Sequence, residues 1–154
     1  MLEQTRPVRP DDEPFLYELY ASTRRAEVSS WGWSPQQEDA FLRMQFEAQA
    51  RAYATQYPEA DHRVICRDGK PVGRILIHRH GAAATLVDIG LLPACQGAGT
   101  GSALIRDLQA EGRPVHLHVL KGSPAGRLYE RLGFTVTGDT GVYYAMQWQP
   151  HVGP

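Results

Sequence analysis

Apolar positions recur along this chain with two periods, and the change between them divides it. Residues 4–9 read as a short extended opening, a candidate edge strand. Behind it Asp11 is placed to cap a helix, with Asp12 and Glu13 suited to its positive end. Phe15, Leu16, Leu19 and Tyr20 then fall at helical spacing. A second helix opens on Ser34-Pro35-Gln36-Gln37, a capping box with proline at the first helical position. It carries Phe41, Met44, Ala48 and Ala52 on one stripe and ends at Tyr57-Pro58.

From His62 onward the period shortens. His62 to Arg67 reads as a strand, Arg67-Asp68-Gly69-Lys70 as a hairpin turn, Val72 to His78 as its partner, and Ala83 to Leu92 as a third strand. A glycine-rich turn over 96–101 leads into a helix from Ser102 to Glu111, and Val115 to Leu120 is again a strand. Ser123-Pro124 starts a helix whose Ala125, Leu128, Tyr129 and Leu132 share one face, closed by Gly133. Phe134 to Thr137 and Val142 to Trp148 form a last pair of strands. The order β-α-α-β-β-β-α-β-α-β-β makes this an α/β (α+β) chain. Without a repeat or linker, it is expected to be one domain over 1–154, with 149–154 a frayed tail.

Composition narrows the function classes. At 154 residues, 42% hydrophobic and 21% charged, the chain is sized for one core. A net charge of −1 gives no broad attraction to nucleic acid or anionic lipid, so neither is an expected partner. Cys66 and Cys95 are too few and too far apart for a disulfide scaffold. No secretory h-region or run of about 20 apolar residues is seen, so a cytoplasmic location is expected.

The chemistry concentrates in LLPACQGAGTGSALIRDL, residues 91–108. Gly97, Gly99 and Gly101 sit between a strand and an amphipathic helix, where small residues let backbone N–H groups approach an anion. The helix N-terminus adds partial positive charge, which suits a phosphate or pyrophosphate. A P-loop is excluded because no lysine follows. A GxGxxG fingerprint is excluded because Ser102 and Leu104 stand where its last glycine would be. The pattern [Q/R]xxGx[G/A] does match, as Gln96-Gly97-Ala98-Gly99-Thr100-Gly101, with Pro93 three residues before Gln96. In this the sequence resembles the GNAT superfamily of acyl-CoA-dependent N-acyltransferases. The resemblance implies a mixed, mostly antiparallel, twisted sheet of about seven strands flanked by four helices. It also implies acetyl-CoA as cosubstrate and no metal. The CoA pyrophosphate would be held by Gln96, Gly97, Ala98, Gly99, Thr100, Gly101 and Ser102. Leu91 and Leu92 would pair with the pantetheine arm like an added strand.

A second motif follows in HLHVLKGSPAGRLYERLGF, where Ala125, Leu128, Tyr129, Gly133 and Phe134 match the family's helix and Gly122 replaces its usual asparagine. By resemblance Tyr129 lies against the CoA sulfur and protonates the leaving thiolate; packing is the alternative. A backbone N–H near Leu91 would hold the oxyanion. Asp88, on the strand before the loop, is the candidate base through water, unless it is merely paired or exposed. Glu27 and Trp31, between the first two helices, are candidates for the acceptor pocket, with Trp33 beside them. Two HxH pairs, His78/His80 and His116/His118, each point to one side of a strand but lack a recognisable third metal ligand. Cys95 has no evident base and reads as packing. The implied activity is acetylation of a primary amine on a small molecule, amino acid or peptide. The alternative is a non-catalytic acetyl-CoA sensor or interaction module of the same fold. A homodimer through exposed C-terminal strands is compatible with either.

Overall fold

The computed structural model describes residues 4–150. The end of the tail expected to fray, 151–154, lies outside them. The strands are β1 (Thr5–Pro7), β2 (Asp61–Arg67), β3 (Lys70–His80), β4 (Ala83–Leu91), β5 (Val115–Leu120), β6 (Thr135–Asp139) and β7 (Tyr143–Trp148). The helices are α1 (Glu13–Ser29), α2 (Pro35–Gln56), α3 (Thr100–Gln109) and α4 (Ala125–Arg131). All seven strands form one sheet in the order β1-β2-β3-β4-β5-β7-β6. Every pairing is antiparallel except β4 with β5.

Local chemistry sets the element ends. Asp68 (φ 52°) and Gly69 (φ 78°) make the tight β2–β3 turn that the sequence called for. The Ser34 Oγ accepts from Gln37 N at 3.2 Å, and Gln37 Oε1 accepts from Ser34 N at 2.9 Å, completing the capping box on α2. Before α1, Asp12 and not Asp11 stands at the N-cap position, but its side chain turns back from the helix: Oδ2 accepts from Arg9 N at 2.7 Å while Arg6 pairs with both carboxylate oxygens. At the end of α4, Phe134 N donates to Tyr129 O and Gly133 N to Glu130 O, both at 3.0 Å. This double bond pattern fixes the last turn, and with it the Tyr129 backbone.

Two apolar clusters lie on opposite faces of the sheet. The larger joins Ile75, Ile77, Leu86, Leu117 and Met146 to Leu104, Ile105 and Leu108 of α3 and Tyr129 of α4. The smaller joins α1 and α2 through Leu16, Tyr17, Val28, Leu42 and Phe46. The α2 stripe expected from the sequence is corrected here. Leu42 and Phe46 face inward, whereas Met44 is 54% exposed and Ala48 and Ala52 are exposed. Gln49 and Tyr53 continue the inward row. A helix that turns a glutamine toward a polar partner on the sheet does not show its true face as an apolar stripe.

Candidate active site

The site begins where β4 and β5 part. Their ladder is only two residues long, Ala84 opposite Val115 and Thr85 opposite His116. Just beyond it the β3–β4 register jumps from Ile77↔Leu86 to Leu76↔Asp88, leaving Val87 as a bulge. The extra residue reverses the strand's facing. Ala84 and Leu86 before it, and Ile89 and Leu91 after it, all pack toward the larger cluster, while Asp88 turns to the α2 face.

Backbone alternation then assigns the edges. Leu92 N donates to Val72 O of β3 at 2.8 Å. Because successive strand N–H groups point to opposite edges, those of Leu91 and Ile89 face the gap toward β5. The carbonyl of Leu91 shares that edge and accepts from Gln96 Nε2 at 3.1 Å. Leu92 cannot share an added-strand pairing, since its N–H is bonded to Val72 and its carbonyl accepts from Cys95 N at 2.8 Å. Leu92 is thus turned toward β3, and what stands open on the gap edge is the N–H groups of Ile89 and Leu91, the Leu91 carbonyl being taken by Gln96.

The glycine turn lies at the mouth of this gap. Gly97 (φ 82°) and Gly99 (φ 83°) adopt the left-handed conformation that glycine enters at little cost, and no atom lies within 4 Å of where a side chain would stand. Helix α3 starts at Thr100, two residues earlier than the sequence suggested, and its first backbone bond runs from Ala103 N to Gly99 O at 3.0 Å. Among the described residues the amides of Gly97, Ala98, Gly99, Thr100, Gly101 and Ser102 have no backbone acceptor. Such a run of unsatisfied amides at a helix N-terminus fits a pyrophosphate. Arg67, which the sequence reading passed over, extends from β2 to donate to the Thr100 hydroxyl and to Cys95 O (3.5 Å). It brings a fixed positive charge beside the loop.

Asp88 stands on the α2 face of the gap. Arg74, buried on β3, donates to its Oδ2 through Nε at 2.8 Å and to Gln49 Oε1 through Nη2 at 2.9 Å, with Nη2 also 2.5 Å from Oδ2 in the ion pair. The Tyr53 ring lies 5.8 Å from this guanidinium. Burial, then the charge of Asp88, pushes the Tyr53 phenol up to about 12. From the other face comes Tyr129, 9% exposed, with the Phe134 ring at 5.8 Å. Burial first and the Asp88 charge second push its phenol up to about 12, so it keeps its proton at neutral pH. No hydrogen bond joins its hydroxyl to another described residue.

Glu27 and Trp31 lie apart from this group. Glu27 pairs with Arg24 at 3.2 Å and is largely exposed. Trp31 is 42% exposed and packs edge-on against Trp33 and Phe41, with ring centroids 5.1 and 5.4 Å away. Neither is joined to Asp88 or Tyr129 by a hydrogen bond, ion pair or ring contact among the described residues. The cavity next to Asp88 instead lies beneath α2, with a volume of about 200 Å³, and Phe46, Tyr53, His62, Arg74 and Leu76 are among its walls. Burial, followed by the charge of Arg74, lowers the His62 imidazole to about 4, and its Nε2 is buried without a partner.

The remaining histidines form a row. His78 stacks on His80 at 5.0 Å, and His80 faces His116 at 6.4 Å. Among the described residues no three histidine, cysteine or acidic side chains are grouped to share a metal ion. Nor is any described helix long and apolar enough to cross a membrane. Gly122, which stands in place of the resembled pattern's usual asparagine, has φ 84° and offers no side chain.

Comparison with known proteins bears on the parted strands and the loop together. Residues 58–136 match the family model described as an acetyltransferase (GNAT) domain. A mycothiol acetyltransferase of Nocardiopsis dassonvillei is 40% identical over 84 residues, 51% of this chain. The chain spans only 22% of that relative's length. Among solved structures, the PaiA N-acetyltransferase from Thermoplasma acidophilum in complex with coenzyme A superposes with a TM-score of 0.69 at 17% identity, over 94% of this chain and 97% of that one. The ribosomal-protein-S18-alanine N-acetyltransferase from Escherichia coli gives 0.63 at 20% identity, over 97% and 95%. At these identities the two structures bear on the fold alone.

Proposed function

The chain belongs to the GNAT acetyltransferase family, and we propose on that footing that it moves the acetyl group of acetyl-CoA to a primary amine by direct attack. The observation that carries this reading is the gap between β4 and β5, with a run of amides at its mouth that have no backbone acceptor among the described residues; the buried Tyr129, which feels the charge of Asp88, supports it.

Each group has a task in that reaction. The amides of residues 97–102 hold the pyrophosphate, with Arg67 supplying charge. Leu91 pairs with the pantetheine arm, and Ile89 N–H, beside the bulge, is aimed to receive the oxyanion. Tyr129 gives its proton to the departing sulfur. The thioester itself supplies the activated acetyl group. Asp88 places negative charge beside the acceptor, favouring approach of an ammonium ion. The amine's remaining structure is taken to lie along the α2 face, toward the cavity bounded by Tyr53 and Arg74, while Glu27 and Trp31 form a more distant rim. Peptide and small-molecule amines are both within this proposal, as is a homodimer through the β6 edge, where Val136 is 52% exposed.

Release of free CoA from acetyl-CoA, measured against a panel of amines, amino acids and peptides, tests the reading. Release that depends on one class of amine supports it and names the acceptor class. Failure to bind acetyl-CoA overturns it. Binding without turnover across the panel would favour the sensor.

A further inference from the structure

We propose that His118 is the group that takes the proton from the acceptor amine, an assignment resting on the acetyltransferase reading above. It follows from the register of the parted strands. Thr85 pairs with His78 on one side and with His116 on the other, so these three residues form one row across the α2 face. One row further along β3 and β4 stand Leu76 and Asp88, brought onto this face by the Val87 bulge. One row further along β5 stands His118, two residues beyond His116 and on the same side. Asp88 and His118 therefore flank the opening at the level where the two strands first separate.

Their circumstances differ. The Oδ2 of Asp88 is held by a buried arginine. His118 is exposed, and among the described residues no hydrogen bond, ion pair or ring contact engages its imidazole. His78, His80 and His116, by contrast, lie against one another. The residue paired with His118 on β7 is Ala145, a small neighbour with no polar side-chain atom. The charged and titratable groups on this face of the surrounding elements are Asp88 on β4, Arg74, His78 and His80 on β3, Tyr53 on α2, His116 on its own strand and Tyr143 on β7. Of these, Arg74 and Asp88 compensate each other.

Imidazole is the commonest general base near neutral pH, and the reaction needs one. An acceptor arriving as R–NH3+ passes one proton to His118 and on to solvent. The freed nitrogen lone pair forms the C–N bond at the thioester carbonyl, and the C–S bond breaks. Tyr129 delivers a proton to sulfur and regains one from the nitrogen through water. The sum is an amide, a thiol and one released proton.

Two measurements test the assignment. In the first, imidazole resonances of His118 are followed by NMR as acetyl-CoA is added, and separately as adenosine 3′,5′-diphosphate is added. A shift with acetyl-CoA alone supports the placement. Binding of acetyl-CoA that leaves His118 unmoved overturns it while leaving the proposed function intact. Absence of acetyl-CoA binding overturns both. In the second, His118→Gln is assayed with strongly basic primary amines and with O-alkylhydroxylamines, which reach the site already neutral. A fall in kcat of about 100-fold for the former, with little change for the latter and unchanged acetyl-CoA affinity, supports the role. Equal effects on both classes, or no effect, would overturn it.

Discussion

Arg74 reaches from β3 to hold Asp88 on β4, its Nη2 at 2.5 Å and its Nε at 2.8 Å from the same carboxylate oxygen. The arginine side chain is 10% exposed and the aspartate 32%, so each charge depends on the other more than a surface pair would. Arg74→Met is expected to lower stability by about 1–3 kcal/mol, and Asp88→Asn by a similar amount. The double variant should recover part of the loss, because it leaves no isolated charge. Urea midpoints of the four proteins check this; strictly additive losses would show that the pair does not act as a unit.

Tyr129→Phe removes the proton without disturbing the packing of the ring. Turnover should fall by about 10²–10⁴-fold, with acetyl-CoA affinity nearly unchanged by calorimetry. Because the phenol is raised to about 12, the wild-type rate should show no decline from its ionisation below about pH 10. An undiminished rate in the variant removes the acid role.

Arg67→Ala should weaken acetyl-CoA binding by roughly 10-fold, on the scale of about 1–2 kcal/mol for a charge-assisted contact, with Arg67→Lys recovering part. The wild-type affinity should also fall more steeply with added salt than that of the alanine variant. Parallel salt curves would mean that Arg67 only braces Thr100 and the loop carbonyl.

Acid stability should be governed first by His62. Its pKa is about 4 in the folded protein and near 6.5 unfolded. The unfolded chain therefore binds the proton first, and stability is lost as pH falls from about 6.5 to 4, by on the order of 2 kcal/mol. Asp12, lowered to about 2 chiefly by its hydrogen bonds from Arg6, contributes a separate loss between about pH 4 and 2. His62→Gln should flatten the upper window and leave the lower one. Denaturant midpoints at half-unit pH intervals would reveal a variant that still loses stability from pH 6.5 to 4.

What the sequence disclosed was what local chemistry determines. The loop from Gln96 to Gly101 and the helix carrying Tyr129 could be read because turn, cap and face lie within a few consecutive residues. The inward face of α2 was hidden, because Met44, Ala48 and Ala52 mimic an apolar stripe while the true row runs through Gln49 and Tyr53 toward Arg74. Arg74 itself lies inside an apolar run, and only the pairing of β3 with β4 supplies its partner. The two HxH spacings were visible as potential ligands. That His118 stands beside a gap while His116 stacks within a row depends on how far two distant strands stay together.

The Val87 bulge works as a frameshift in the strand's code of inward and outward residues. Counting by twos from Ala84 and Leu86 would send Asp88 into the apolar cluster and turn Ile89 outward. The inserted residue resets the count, so one strand serves the core along its whole length while offering a carboxylate to the opposite face. Substitution at 87 should then be mild compared with deletion, which would exchange the roles of the positions downstream as far as the glycine turn. Along this stretch the number of residues is constrained more tightly than their identities.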